Sequence, residues 1–274
     1  MRSILFLLAI IFTCQSYGQQ KPDERTRFFP REEVKPAKLP KKNKVWVFLL
    51  AGQSNMAGRG LVEPQDTIPS DRILTINKKG EIIVAKEPLH FYEPVLTGLD
   101  CGLSFGREML DHVPKDISIL ILPTAVGGST ISQWLGDSIH RQVPLLTNFK
   151  DKVRLAKKTG KIKGVLWHQG EGDANETDIP LYRDRLGELF AKFRKIAGDK
   201  KLPIVMGELG AYSKNSENWM KINEQIQIYA ASDKNADFIT TGDLHHKGDG
   251  VHFDSEGQRI IGRRFARKIA ELLK

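Results

Sequence analysis

The sequence predicts an α/β domain: a parallel sheet with helices on both faces. Two observations carry this. Short uncharged apolar runs of strand length alternate with longer amphipathic stretches, the pattern of strands joined by helical crossovers. Several of these runs stop abruptly in glycine-rich polar sequence, as strands do at the ligand-binding edge of such a sheet. No internal repeat or second composition regime interrupts the alternation, so one domain is expected from residue 43 to 274.

Upstream of it, Arg2 precedes the apolar run Ile4 to Phe12, too short for a bilayer-spanning helix of roughly 20 residues. Small Ser16 and Gly18 sit before a cleavage position at Gln19. Residues 1–18 therefore read as a secretory signal, and the protein as secreted or periplasmic with no integral membrane segment after cleavage. Cys14 raises a lipoprotein as the alternative, disfavoured because Phe12 and Thr13 stand where small residues belong. Once Cys14 is removed, Cys101 is the one thiol and no intrachain disulfide forms. Asp100, Gly102 and Leu103 offer Cys101 no base, so it reads as buried and inert. Residues 19–42 read as a basic leader: residues 21–44 hold nine Lys/Arg, four Asp/Glu and prolines 22, 30, 36 and 40, which deny helix and central strand. It supplies much of the formal charge of +9. With no recognition motif and with export, no nucleic-acid partner is expected.

Val45 to Ala51 is seven residues without a charge, the signature of a strand buried on both faces. It ends in Gly52-Gln53-Ser54-Asn55. Ile73 to Ile76 and Glu81 to Val84 read as short strands around a Lys78-Lys79-Gly80 turn. Leu103 to Val113 reads as a helix stopped by Pro114. Ile117 to Leu122 is a second buried strand running into Pro123 to Ser129, and Leu145 to Thr159 a Lys-rich helix closed by Gly160. A third strand, Gly164 to Trp167, ends in His168 to Asp173 and is followed by a helix from Ile179 to Ile196. Pro203 to Met206 and Asp237 to Thr241 give the fourth and fifth strands, with a helix from Trp219 to Ala231 between them. Ser255 to Leu273 is the closing helix. The expected sheet thus has five parallel strands.

In such a sheet Gly52 to Asn55, Gly127-Gly128-Ser129, His168 to Glu171 and the loop Asp249 to His252 all open on one edge. Together they hold what ester hydrolysis needs. A serine hydroxyl must lose its proton as it attacks, which calls for a histidine in reach. A carboxylate must hold that histidine in the right tautomer. Ser54, His252 and Asp249 fill these roles, the last two being three residues apart on one loop. The developing oxyanion needs N–H donors, for which Ser54 N–H, a Gly127 or Gly128 N–H and the Gln169 amide are candidates. Met56 stands where a nucleophile elbow, Gly-x-Ser-x-Gly, requires glycine.

Gly52-Gln-Ser-Asn-Met-Ala-Gly58, Val126-Gly-Gly-Ser129, Trp167-His-Gln-Gly-Glu171 and Asp249-Gly-Val-His252 resemble the blocks of SGNH hydrolases. More narrowly, they resemble the sialate O-acetylesterase and acetyl-xylan-esterase-like branch, of carbohydrate esterase family 6 type. The likeness spans residues 45–270 in the expected order. It implies a flavodoxin-like, three-layer αβα fold. Ser54 would be nucleophile, His252 base and Asp249 its partner, with no metal or other cofactor. Gln169 stands where many SGNH enzymes carry an asparagine. The expected activity is removal of acetyl groups from a carbohydrate such as acetyl xylan, with sialate O-acetylesterase as the alternative. A carbohydrate-binding protein with dead chemistry is the reading from a different class.

Four further residues are candidates for support or substrate contact: Gln53, Asn55, Glu171, which either orients His252, meets substrate hydroxyls or braces its loop, and Trp134, which either stacks on a sugar or fills the core. The rival chemistry is zinc held by His245, His246, Asp249 and His252, which explains neither Gln53-Ser54-Asn55 nor Gly127-Gly128-Ser129.

Overall fold

The structure, a computed structural model, describes residues 24–274. The signal reading of residues 1–18, Cys14 included, lies outside the described residues. In chain order the elements are β1 (Val45–Gly52), α1 (Ser54–Ala57), β2 (Ile73–Ile76), β3 (Ile82–Val84), α2 (Gly102–Met109), β4 (Ser118–Pro123), α3 (Ile131–Leu135), β5 (Ile139–His140), β6 (Val143–Pro144), α4 (Leu145–Thr159), β7 (Lys161–His168), α5 (Ile179–Ala197), β8 (Ile204–Gly207), α6 (Ser216–Ser232), β9 (Ala236–Ile239) and α7 (Ser255–Leu272). No helix among the described residues is long and apolar enough to cross a membrane.

The sheet has seven strands rather than the expected five, in the order β3-β2-β4-β1-β7-β8-β9. The two additions are the short strands around Lys78-Lys79-Gly80. That turn is too tight for a parallel crossover, so β3 pairs antiparallel with β2, and β2 joins β4 in parallel through Ile73 and Leu74. All other pairings are parallel.

Alternation along β1 divides the core in two. Val47 and Leu49 face a cluster with Trp134, Phe149, Phe190 and Phe193. Phe48 and Leu50 face Phe105 of α2 and Ile261, Phe265 and Ile269 of α7. The result is three layers, with β1 at the centre of the sheet. Cys101 is buried in the second layer, where burial and the nearby Asp100 and Glu87 carboxyls push its thiol well up. It is no nucleophile.

The chain leaves β1 toward β2 on one side and leaves β7 toward β8 on the other. In open α/β sheets ligands bind at the carboxyl ends of strands where the connections diverge in this way. Gly52 makes the turn possible there: its φ is 132°, and a Cβ would lie 2.1 Å from the His168 carbonyl oxygen. Gln53 N–H then donates to that same oxygen at 3.0 Å, so Ser54 starts α1 directly over the β1–β7 pair.

The leader is extended but is not a free spacer. Val34 C=O accepts the Val84 N–H at 2.8 Å, Asn77 Nδ2 donates to Glu33 at 2.7 Å, and Arg25 donates to the Thr97 carbonyl. Residues 25 to 34 thus lie along the β3 edge and the loop beyond it.

Candidate active site

Ser54 is the first residue of α1, and the first N–H groups of a helix have no intrahelical acceptor. Among the described residues the Ser54 N–H has no acceptor. Its Oγ lies 3.0 Å from His252 Nε2. His252 Nδ1 lies 2.8 Å from Asp249 Oδ2. The other Asp249 oxygen accepts the backbone N–H groups of Val251 at 3.0 Å and His252 at 2.8 Å. One carboxylate thereby folds the loop and holds the imidazole, which is why three residues of spacing suffice. Burial opposes the ionised Asp249, but these hydrogen bonds outweigh it and hold its carboxyl at about 2. Burial lowers His252 below its ordinary value, with Arg59 and Lys247 adding to this and Asp249 working against it. The loop enters α7 through Asp254, whose side chain caps the helix by accepting the Gly257 N–H at 2.7 Å.

Asn55 ties the base to the nucleophile's own helix. Its Nδ2 donates to Val251 C=O at 3.2 Å and its Oδ1 accepts Phe253 N–H at 3.1 Å, so the amide straddles His252. The same Nδ2 donates to Glu171 Oε1 at 2.6 Å. Glu171 therefore braces the loop through Asn55 and makes no bond to His252. Burial raises its carboxyl above the usual range, and its Oε2 is buried without a partner.

Two of the expected oxyanion donors are spent elsewhere. Gln169 donates through Nε2 to Asp173 Oδ2 at 2.5 Å and Gln53 Oε1 at 3.3 Å, while its Oε1 accepts from the Tyr182 hydroxyl at 3.1 Å. Both amide hydrogens are consumed inside the protein. The exchange leaves Gln53, beside Ser54, with an Nε2 that has no acceptor among the described residues. Gly127 N–H donates to Glu93 Oε2 at 2.6 Å, and a Cβ there would lie 2.2 Å from Arg59 Nη2. Gly128 is exposed, has a φ of 76° that favours glycine, and its N–H has no acceptor among the described residues. Of the pair, Gly128 is the one whose N–H is left unengaged among the described residues.

Trp134 is fully buried. Its Nε1 donates to Ser129 Oγ at 2.9 Å, and it packs edge-on to Trp167 at 5.5 Å. It is a core residue, not a sugar platform. His168 is likewise buried, held neutral by burial with its pKa lowered to about 4, and its Nε2 donates to Glu208 C=O at 3.0 Å. The zinc arrangement is not assembled. Both His252 nitrogens are engaged by Ser54 and Asp249, and His246 Nδ1 accepts the N–H groups of Gly248 and Gly250 at 2.9 and 3.0 Å.

The sequence reading missed Arg59, Glu93, His140 and Arg141, which surround the Gly127–Gly128 turn. Glu93 Oε1 accepts from Arg59 Nη2 at 2.9 Å and Arg141 Nη1 at 2.6 Å. His140 Nε2 lies 2.9 Å from Gly127 C=O. No motif announces them, because they come from three separate segments, the loop after α1, the loop before α2 and the β5–β6 hairpin, brought together only by folding. It also missed a buried cluster behind the turn, where His90 bridges Asp100 at 2.7 Å and the Ala125 N–H at 3.3 Å.

A family model described as carbohydrate esterase, sialic acid-specific acetylesterase matches residues 44–271. A probable carbohydrate esterase of Arabidopsis thaliana is 26% identical over 243 residues, covering 79% of this chain and 86% of that one. The 1.6 Å crystal structure of an Arabidopsis thaliana protein superposes with a TM-score of 0.75 at 25% identity, covering 86% of this chain and all of that one (100%). NanS gives a TM-score of 0.68 at 20% identity, covering 85% of this chain and 98% of its own. XAC1771, a carbohydrate acetylesterase from Xanthomonas citri, gives 0.64 at 20%, covering 84% of this chain and 56% of that one. The last two likenesses establish the fold alone.

Proposed function

Because the chain belongs to the carbohydrate esterase family of sialic acid-specific acetylesterases, we propose that it hydrolyses acetyl esters of carbohydrates with Ser54 as nucleophile. The observation that carries this is the unbroken line from Asp249 through His252 to Ser54, at 2.8 and 3.0 Å. Ser54 Oγ attacks the acetyl carbonyl as His252 Nε2 takes its proton. Asp249 stabilises the imidazolium. The oxyanion is received by the Ser54 and Gly128 N–H groups, with Gln53 Nε2 in the place expected for Gln169. His252 returns the proton to the departing sugar oxygen, and water, activated by the same imidazole, releases acetate from Ser54.

The test is acetate release from a panel of acetylated glycans, acetyl xylan and O-acetylated sialic acid included, alongside p-nitrophenyl acetate. The protein should hydrolyse the aryl ester and at least one glycan, and lose both activities to a serine-directed fluorophosphonate. Activity that persists after stoichiometric labelling would remove Ser54 from the mechanism.

The base acts only when neutral, and burial lowers the His252 pKa. The acid limb of kcat/KM, which reports the free enzyme, should therefore have its midpoint below the ordinary histidine value of about 6.5, leaving activity intact in mildly acidic solution. A pH–rate profile from pH 4 to 9 checks this, and a midpoint above 7 contradicts it.

Asn55→Ala should lower kcat by about 10- to 100-fold, since a small misplacement of catalytic groups has costs of that order. KM should change little. The mechanism is loss of the clamp on both neighbours of His252, so the fall should persist at temperatures well below the variant's melting point. A variant whose kcat recovers fully on cooling would show that Asn55 serves stability alone.

A further inference from the structure

The edge of the sheet opposite Ser54 carries a field of lysines. β4, β1, β7, β8 and β9 run parallel, so their amino ends, and the connections that feed them, lie together on the edge away from the Ser54 turn. These connections pack against one another. A Cβ on Gly160, at the end of α4, would lie 2.6 Å from the Val45 carbonyl oxygen at the start of β1. Lys157 Nζ donates to Ile196 C=O, near the end of α5, at 3.0 Å.

The connections are rich in exposed lysine: Lys41 and Lys42 before β1, Lys158 and Lys161 where α4 passes into β7, and Lys200 and Lys201 before β8. None of these side chains is paired with a carboxylate among the described residues. The nearby acids do not balance them. Asp116 is held by Lys44 at 2.5 Å and Asp233 by Arg194 at 2.5 Å. Asp199, whose Oδ1 accepts the Lys201 N–H at 2.8 Å, offsets one lysine only. Much of the formal charge of +9 is thus gathered on one edge.

The shape and place of this field say what it fits. It spreads in two directions, along the row of strand ends β1-β7-β8 and out to the end of α4. Lysines are compact point charges on flexible stems, and a plane of them matches a plane of anionic headgroups. The field is also remote from the chemistry. β1 is eight residues long, roughly 26 Å at the rise of a strand, so an acidic substrate gathered here would be held a strand's length from Ser54. Two apolar groups stand beside the lysines. Trp46 is half-buried, with Lys163 Nζ 4.5 Å from its ring centre, and Leu39 is 56% exposed. Such groups settle at the headgroup level of a bilayer.

We infer that this edge is a docking surface for an anionic lipid bilayer, on which the protein lies with Ser54 facing away from the membrane. The inference does not depend on the esterase reading.

The experiment is cosedimentation of the full chain with vesicles of phosphatidylcholine, alone or mixed with phosphatidylglycerol. The parent protein should bind the mixed vesicles, release them as salt rises and leave phosphatidylcholine alone. Each lysine near an anionic surface contributes about 5-fold in affinity, so Lys161→Gln/Lys200→Gln/Lys201→Gln should bind on the order of 100-fold more weakly. Lys161→Arg/Lys200→Arg/Lys201→Arg should bind as the parent does. Lys78→Gln/Lys79→Gln/Lys214→Gln removes the same charge from the Ser54 edge, beyond the ends of β2 and β8, and should also bind nearly as the parent does. Tm and p-nitrophenyl acetate hydrolysis in solution should match across the set. All variants share residues 1–44, so binding through the apolar run Ile4 to Phe12 would be common to them and would extend to phosphatidylcholine. A parent protein that ignores the anionic vesicles at low salt, binds both vesicles alike, or is weakened equally by the two glutamine triples overturns the inference. So does binding to soluble polygalacturonate that is tighter than to the vesicles and lost in the first triple, which would make the partner an acidic polysaccharide.

Discussion

Ser54→Ala should lower kcat for acetate release by about 10⁴- to 10⁶-fold, the range found when a serine of a hydrogen-bonded catalytic triad is removed. The side chain is nearly buried, 6% exposed, and alanine fits the first turn of α1, so the variant should melt close to the parent. The residual rate belongs to the N–H groups of Ser54 and Gly128, which the substitution leaves in place. Because Ser54 and His252 act as one unit across 3.0 Å, their losses should not add. The double variant Ser54→Ala/His252→Ala should be no slower than Ser54→Ala alone. A further large drop in the double variant would mean that His252 works independently of Ser54, and the mechanism would need another nucleophile.

Asp249→Asn should cost up to about 10⁴-fold in kcat, through the tautomer of His252 rather than through its position. Asp249 Oδ1 accepts two backbone N–H groups, from Val251 and His252. An asparagine keeps those bonds only with its oxygen on that side, which turns its NH₂ toward His252 Nδ1. The imidazole must then carry its proton on Nε2, where it cannot accept the Ser54 proton. The backbone of the loop should be unchanged, so Tm and substrate KM should stay near the parent values while kcat collapses. Asp249→Ala makes the contrast: it removes the loop bonds as well, so it should lower Tm in addition. An Asp249→Asn variant that keeps more than a tenth of the parent kcat would show that the carboxylate is dispensable.

The fold was readable where the signal is local. Val45 to Ala51 announces a buried strand because nothing charged interrupts it, and Asp249 and His252 announce a pair because one loop carries both. What escaped was decided by remote contacts. Gln53 and Gln169 are two amides at neighbouring strand ends. Asp173 and Tyr182 settle which of them is spent internally. Gly127 and Gly128 are alike in sequence, and only Glu93, thirty-four residues upstream (|i−j| = 34), separates them by claiming one N–H. Trp134 differs from a sugar platform only in what covers it. Arg141 has a left-handed φ of 48° with no glycine to mark it. The sheet was undercounted although both short strands were read, because only the remote pairing of β2 with β4 through Ile73 and Leu74 shows that the β2–β3 hairpin extends the parallel sheet.

The contact between Val34 and Val84 bears on where the domain begins. The family likeness starts at residue 44, yet β3 is the outermost strand of the sheet. An uncovered edge strand is a template for pairing with another chain. A protein trimmed to the shared boundary would keep every catalytic group and lose the segment that occupies this edge. Pro30 suits that position, since it offers no N–H group for a further strand to pair with. Through Val34, which accepts the Val84 N–H, the leader takes up an edge group that would otherwise be open to another chain.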